Sequence, residues 1–174
     1  MKLDLERIRQ AQTRFDRTFE ASEVGMADDP YRIVAPVRLG FDIHKDKDAF
    51  RLVGAVHTEL ELPCSRCLEP FRFPVDVAFD QRYLPQPEAS ADEEREIADE
   101  DLETSFYRGA QIDLNELLRE QFYLTLPMKP LCREECKGLC AQCGTNLNTG
   151  TCDCRPGWED PRLAALKQLK TRES

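Results

Sequence analysis

The eight cysteines are the side chains of this chain best suited to do chemistry, because its 174 residues include only two histidines. Six cysteines lie between residues 132 and 154, and the other two form the pair Cys64-Ser-Arg-Cys67. All of them follow C-x2-C, C-x3-C or C-x-C spacings, which bring two sulfur atoms onto one metal ion. Four thiolates favour tetrahedral zinc. The candidate metal ligands are Cys64, Cys67, Cys132, Cys136, Cys140, Cys143, Cys152 and Cys154.

The eight thiolates divide into two sites of four, so the predicted cofactor is Zn²⁺, with two ions per chain. The last four cysteines are close enough in sequence to form one compact site. Cys132 and Cys136 would then meet Cys64 and Cys67 and tie two distant segments together. The spacing alone leaves other pairings open.

The choice between metal and disulfide depends on the compartment. Residues 1–10 contain no apolar run long enough for a signal peptide, and no later stretch approaches the ~20 apolar residues of a membrane span. A cytoplasmic location without membrane contact is therefore expected, where thiols stay reduced and bind metal rather than form disulfides. An iron-sulfur centre is disfavoured, because the glycine-bounded turn Gly138–Gly144 has the form of a zinc knuckle.

The net charge of −9 is concentrated in one segment. Residues 85–105 contain nine acidic residues and one arginine, a net charge of −8. This composition predicts a solvated, disordered linker that provides spacing and solubility. A more specific interpretation is that its negative charge attracts a basic partner. Outside the linker no basic patch stands out, which argues against binding driven by nucleic-acid phosphates.

Three runs of alternating apolar and polar residues predict strands: residues 31–43, 50–62 and 71–83. Their short connections favour an antiparallel meander with one buried face. The Cys64/Cys67 pair falls between the second and third strands, at an end of the sheet. Pro74 predicts an edge or bulged strand.

Two helices are predicted beyond the linker. Asp113 and Glu116 are candidates for a capping box at the start of the first helix. The apolar face of this helix would contain Leu114, Leu117, Leu118 and Phe122. Pro127 would end the helix. Asp160-Pro161 is a start signal for a C-terminal helix striped by Leu163, Leu166 and Leu169. For residues 1–30 an amphipathic helix, a strand and an arm packed on the sheet all remain open.

Two enzyme interpretations fit the residue types poorly. His57-Thr-Glu59 followed by Pro63-Cys64 and Cys67 has the composition of a zinc-deaminase signature. A strand would place His57 and Cys64 on the order of 23 Å apart at ~3.3 Å per residue, too far to share one ion. A thioredoxin-like pair at Cys64/Cys67 should open a helix, whereas here another strand follows.

Several segments together resemble one known family. They are Glu61–Phe71 with its cysteine pair, the acidic linker, Ile112-Asp-Leu, Leu126–Cys132, Gly138–Asn148 and Asp160–Leu166. In this order they are similar to the YceD family, which is named for large ribosomal RNA subunit accumulation. The resemblance implies a bacterial, cytosolic, non-enzymatic factor that supports levels of large-subunit rRNA. It implies neither a mechanism nor a metal content.

The predicted fold class is α+β: a mainly antiparallel β-domain, a meander or partly closed barrel, with a returning helix and a small cysteine-rich zinc-binding C-terminal lobe. The predicted parts are the β-domain at 1–84, the acidic linker at 85–105, and the helix, zinc lobe and C-terminal helix at 106–174. The expected function is accessory to large-subunit biogenesis and 23S rRNA accumulation, through a ribosomal or assembly protein as partner. Direct rRNA contact and oligomeric state stay open. Alternatives are a zinc-ribbon adaptor in an unrelated complex and, less favoured, a CxxC redox protein.

Overall fold

The computed structural model describes residues 1–24, 28–86 and 104–154. Strands are the main regular structure among these residues, and one long helix follows them. In chain order the elements are β1 (Lys2–Asp4), a 3-10 turn (Leu5–Arg7), β2 (Gln12–Phe19), α1 (Ala21–Val24), β3 (Arg32–Ile33), β4 (Val37–Asp46), β5 (Ala49–Pro63), β6 (Pro70–Pro85), β7 (Thr104–Tyr107), β8 (Gln111–Asp113) and α2 (Leu114–Thr125).

The main sheet has six strands in the order β2-β4-β5-β6-β7, with β3 beside the end of β5. Strands β4, β5 and β6 form the predicted antiparallel meander. The partly closed barrel is wrong, because the described strands follow an open path from β2 to β7. Residues 70–81 of β6, including Pro74, pair only with β5 among the described strands, so the predicted edge position of Pro74 is confirmed.

Two pairings connect segments that are distant in sequence. Strand β7 pairs in parallel with the end of β6, in the register Arg82 to Thr104. Strand β1 pairs antiparallel with β8, which precedes α2 directly. Residues 1–24 therefore form two strands, a 3-10 turn and a short helix rather than one amphipathic helix. Residues 87–103 of the acidic linker and the predicted C-terminal helix lie outside the described residues, and the three-part domain division stays a prediction.

The core lies between the inner face of the sheet and α2. The alternating residues of β4, β5 and β6 supply one side of it, and Leu114, Leu117, Leu118 and Phe122 supply the helical side. The Phe41 ring stacks on Phe15 and also contacts Phe79 of β6. The Tyr31 ring meets Phe122 edge to face at 5.7 Å between centroids. Burying such side chains is worth about 1.5–3 kcal/mol each.

Local capping fixes where α2 begins and ends. The Asp113 carboxylate accepts a hydrogen bond from the Asn115 N–H at 2.9 Å, which confirms the predicted N-cap. The helix ends at Thr125, before Pro127. The following loop reaches the end of the sheet, where the Ser65 N–H donates to the Pro130 carbonyl at 2.8 Å. The helix therefore delivers Cys132 to the Cys64/Cys67 knuckle.

Candidate metal centres

The Cys64/Cys67 knuckle is the tight connection between β5 and β6. The Leu68 N–H donates to the Cys64 carbonyl, and the Cys64 N–H donates to the Glu69 carbonyl, each at 2.9 Å. Leu68 adopts a φ of 62°, a left-handed conformation that a bulky residue rarely adopts. The Arg66 N–H points at the Cys64 sulfur at 3.5 Å. The knuckle thus turns both sulfur atoms toward the same side.

Cys132 and Cys136 complete the first cluster. The Sγ atoms of Cys64 and Cys136 lie 3.8 Å apart, and those of Cys67 and Cys132 lie 3.7 Å apart. Four sulfurs at about 2.3 Å from a central zinc form a tetrahedron with edges of about 3.8 Å. The four sulfurs all lie within 4.8 Å of one another, so this donor set fits a tetrahedral ion. Three of the four side chains are buried.

The second cluster contains Cys140, Cys143, Cys152 and Cys154, whose sulfurs also lie within 4.8 Å of one another. Its knuckle is closed by the Gly144 N–H, which donates to the Cys140 carbonyl at 2.9 Å. Gly144 has a φ of 73°, which a glycine adopts without steric cost. None of these four side chains is buried, and Cys143 is exposed. The second cluster is therefore open to solvent, unlike the first.

The two groups of four are the same groups that the sequence argument favoured. All eight cysteines are free thiols in the structure. The geometry establishes which thiols lie together, and their role as metal ligands stays a prediction. The redox interpretation of Cys64/Cys67 gains nothing from the local fold, because β6 follows the knuckle where a helix would be required.

Residues that the sequence argument missed join the two clusters. The Arg66 guanidinium donates to the Cys136 carbonyl at 2.9 Å and to the Glu134 carbonyl at 3.2 Å. The Leu139 N–H donates to the Arg66 carbonyl at 3.0 Å. A Cβ at Gly138 would lie 3.0 Å from that same carbonyl, and Gly138 has a φ of 76°. Only glycine fits this close approach without strain.

Asn148 lies between Cys143 and Cys152 of the second cluster but supports the first cluster. Its side-chain amide donates to the Cys136 sulfur at 3.3 Å. Its carbonyl oxygen accepts from the Lys137 N–H at 2.9 Å, and its own N–H donates to the Asn146 side chain. The sequence signal for this role was the pair of asparagines after the second knuckle. Side chains of this kind orient metal ligands from outside the coordination shell.

Different thiols of the first cluster have their pKa values shifted in opposite directions. The backbone N–H of Cys132, followed by that of Cys67, lowers the pKa of Cys64 to about 6. Burial, followed by hydrogen bonding with Cys67, raises the pKa of Cys132 to about 12. A metal ion held by four thiolates would therefore have to displace protons from this cluster.

In the second cluster, too, the pKa of one thiol is lowered and that of another is raised. The Thr145 side chain, followed by its backbone N–H, lowers the pKa of Cys143 to about 6. Hydrogen bonding with Cys143, followed by burial, raises the pKa of Cys154 to about 12. The Thr145 hydroxyl lies 3.1 Å from the Cys143 sulfur. This hydroxyl can donate to a thiolate at an otherwise exposed position.

The position of His57 excludes the deaminase interpretation. His57 lies on the solvent face of β5, and its Nδ1 contacts the Asp76 carboxylate at 2.9 Å. The cysteine clusters found among the described residues contain neither His57 nor Glu59. His57 is therefore a surface residue of the sheet, as the strand pattern predicts. Among the described residues, none of the helices has both the length and the hydrophobicity needed to cross a lipid bilayer.

Comparison with known proteins places these clusters in a family. The family model described as large ribosomal RNA subunit accumulation protein YceD matches residues 52–170, which contain all eight cysteines. The chain belongs to the YceD family. The resemblance drawn from the cysteine motifs is confirmed. No solved structure gives a significant match to this YceD-family chain.

Three relatives illustrate the range of the YceD family. An uncharacterised protein of Mycobacterium tuberculosis is 36% identical over 127 residues, which cover 71% of this chain and 56% of that protein. A Zea mays protein named large ribosomal RNA subunit accumulation protein YCED homolog 1, chloroplastic, is 28% identical over 70% of this chain and 49% of its own length. The uncharacterised protein YlbN of Bacillus subtilis is 27% identical over 89% of this chain and 86% of its own length. The chain thus spans about half the length of the mycobacterial and maize relatives.

Proposed function

We propose that this protein is a non-enzymatic accessory factor of large ribosomal subunit biogenesis that supports 23S rRNA accumulation in the cytoplasm. The observation that carries the proposal is the YceD match, which covers most of β5, all of β6 and α2, and both cysteine clusters. The family and its maize and Arabidopsis thaliana relatives are named for large-subunit rRNA accumulation, the plant proteins in the chloroplast. That name describes an amount of RNA and no chemical reaction.

The proposed role of the cysteine clusters is structural. Each cluster would hold one Zn²⁺ ion through four thiolates, and zinc bound in this way supplies cross-links that stabilise the fold. The first site would join the β5–β6 knuckle to the segment after α2, closing a loop of more than sixty residues between Cys67 and Cys132. Such a long-range cross-link would fix the cysteine-rich segment after α2 relative to the end of the sheet.

The proposed partner is a basic ribosomal or assembly protein rather than naked RNA. The net charge is −9, and −8 of it belongs to residues 85–105. Ribosomal proteins are generally basic, so this charge attracts them and repels rRNA phosphates. Exposed charges act through a screened field, so capture should weaken as salt concentration rises.

A deletion strain tests the function. We expect loss of the gene to lower 23S rRNA relative to 16S rRNA, and the wild-type gene to restore the ratio. A gene carrying Cys64→Ser with Cys67→Ser should fail to restore it, whereas Ser65→Ala in the same knuckle provides a matched control. An unaltered rRNA ratio in the deletion strain would contradict the ribosomal function and leave the zinc-ribbon adaptor as the remaining hypothesis.

A further inference from the structure

A groove lies between α2 and the paired strands β6 and β7. Two cavities of about 490 and 610 Å³ adjoin there, and both are lined by Ser105, Glu116 and Glu120. Tyr83 lines the first cavity from the sheet side. We call these four residues the acidic groove. It lies apart from both cysteine clusters.

Glu116 and Glu120 give the groove its charge. They lie one turn apart on α2, an arrangement of like charges that destabilises a helix unless something compensates it. Both residues are exposed, and within the described ranges neither carboxylate has an ion pair or hydrogen bond. Burial, followed by the charge of Glu116, raises the pKa of Glu120. The groove therefore holds negative charge that nothing within the described ranges neutralises directly.

Tyr83 supplies a second, independent feature. Only 6% of its surface is exposed, and its hydroxyl has no hydrogen-bond partner in the part of the chain that the structure describes. Among the described residues the buried polar side-chain atom without a partner is Asn115 Oδ1, so the Tyr83 hydroxyl is open to the first cavity, where it can bond to an incoming group. Burial, followed by the charges of Glu120 and Glu116, raises the pKa of Tyr83. Its hydroxyl stays neutral and can accept or donate.

The cations at the rim are mostly engaged elsewhere. The Arg119 Nε donates to the Asp29 carboxylate at 2.9 Å, and the Arg108 guanidinium donates to the Gln86 side chain. The N-terminal ammonium lies 3.7 Å from Asp113, which also caps α2. Lys2 lines the first cavity from β1 as an exposed side chain. These contacts leave Glu116 and Glu120 available to an incoming cation.

A small metal ion does not fit this groove. Among the described residues, the groups whose ligand atoms converge are the two cysteine clusters, and the groove carboxylates are not among them. The cavities are also far larger than an ion. A long organic cation can instead reach two separated carboxylates and an intervening hydroxyl through several N–H donors.

We propose that the acidic groove binds a lysine or arginine side chain of a basic partner protein. Glu116 and Glu120 accept charge-assisted hydrogen bonds from the cation, and the Tyr83 hydroxyl provides a further acceptor. This proposal rests on the proposed function, for which it identifies the surface that the basic partner contacts.

The test uses the full-length, zinc-loaded protein labelled for NMR and a short peptide of alternating lysine and glycine. We expect peptide-dependent shifts at the amides of Ser105, Glu116 and Glu120, and none with an alanine-glycine peptide. Glu116→Gln with Glu120→Gln should weaken peptide binding about tenfold or more, because two charge-assisted contacts are lost. Glu134→Gln with Glu135→Gln makes the same change of charge near the first cluster and should leave binding unaltered.

Tyr83→Phe separates binding from folding, because it removes only a hydroxyl that has no described partner. We expect peptide affinity to fall severalfold while the melting temperature does not decrease. Equal peptide affinity of the wild type and the double glutamine variant, or shifts confined to other surfaces, would overturn the proposal. Shifts of the same amides with magnesium ions alone would also overturn it. The rRNA ratio of the deletion strain does not enter this test, so failure of the groove and failure of the ribosomal function are distinguishable.

Discussion

The side-chain amide of Asn148 donates a hydrogen bond to the Cys136 sulfur at 3.3 Å, although the two residues belong to segments of different cysteine clusters. Asn148 lies between Cys143 and Cys152 of the second cluster, whereas Cys136 belongs to the first. The segment that carries the second cluster therefore contributes to the environment of the first cluster. Changes at one cluster should be detectable at the other.

The first prediction concerns metal content. We expect the purified, reduced protein to contain two zinc ions per chain, because two groups of four thiolates have the spacing of tetrahedral sites. Elemental analysis measures the count, and X-ray absorption should give only sulfur neighbours at about 2.3 Å. Eight reactive thiols without metal would contradict the prediction, and iron with brown colour would indicate an iron-sulfur centre instead.

The second prediction separates the two sites. Cys152→Ser with Cys154→Ser should remove one zinc ion and leave the sheet folded, because the second cluster lies outside the buried core. Cys64→Ser with Cys67→Ser should lower stability by more, since the first cluster joins the sheet to the segment after α2. Zinc content and thermal unfolding monitored by circular dichroism measure both effects. Equal destabilisation by the two double variants would contradict the assigned roles.

The third prediction concerns Asn148. Asn148→Ala should leave two zinc ions bound and weaken metal binding at the first site by about 10–100-fold, the usual effect of losing an outer-shell hydrogen bond. Competition with a coloured zinc chelator measures the change. Thr149→Ala is a neighbouring control, because the Thr149 hydroxyl is exposed and only reaches the Asn146 carbonyl at 3.4 Å. Identical zinc affinity of the Asn148 variant and the wild type would show that the contact does not support the ligand.

The fourth prediction tests the packing of the sheet. Gly54 lies in register between Phe41 and Phe79, whose rings approach each other across it. A Cβ at Gly54 would lie 2.2 Å from the Gly40 carbonyl oxygen and 2.4 Å from the Phe41 Cβ. Gly54→Ala should therefore destabilise the protein by about 1–3 kcal/mol or more, as overpacking does.

Gly40→Ala is the matched control for this substitution. Its Cβ would lie 3.1 Å from the end of the flexible Arg14 side chain, which can move into solvent. Denaturant unfolding of both variants measures the difference. A loss of stability at Gly40 as large as that at Gly54 would contradict the packing argument.

The sequence by itself determined the strands of the meander and α2, and it favoured the grouping of the cysteines that the structure shows. Alternating apolar residues specify which face of β4, β5 and β6 is buried, since side chains of a strand alternate between its two faces. Asp113 specifies the start of α2, because a capping side chain acts within its own turn. Short cysteine spacings likewise limit which sulfurs can meet. These signals are local and can be recognised without knowledge of the fold.

Only the tertiary structure decided the pairings and contacts between distant segments. The parallel pairing of β7 with β6 and the pairing of β1 with β8 join strands of three or four residues on at least one side, too short to carry a pattern of their own. The contact of Asn148 with Cys136 depends on how two knuckles dock. The acidic groove exists because α2 lies beside β6 and β7, which brings Tyr83 within reach of Glu116 and Glu120. Such contacts depend on the relative placement of whole elements, which local residue preferences do not encode.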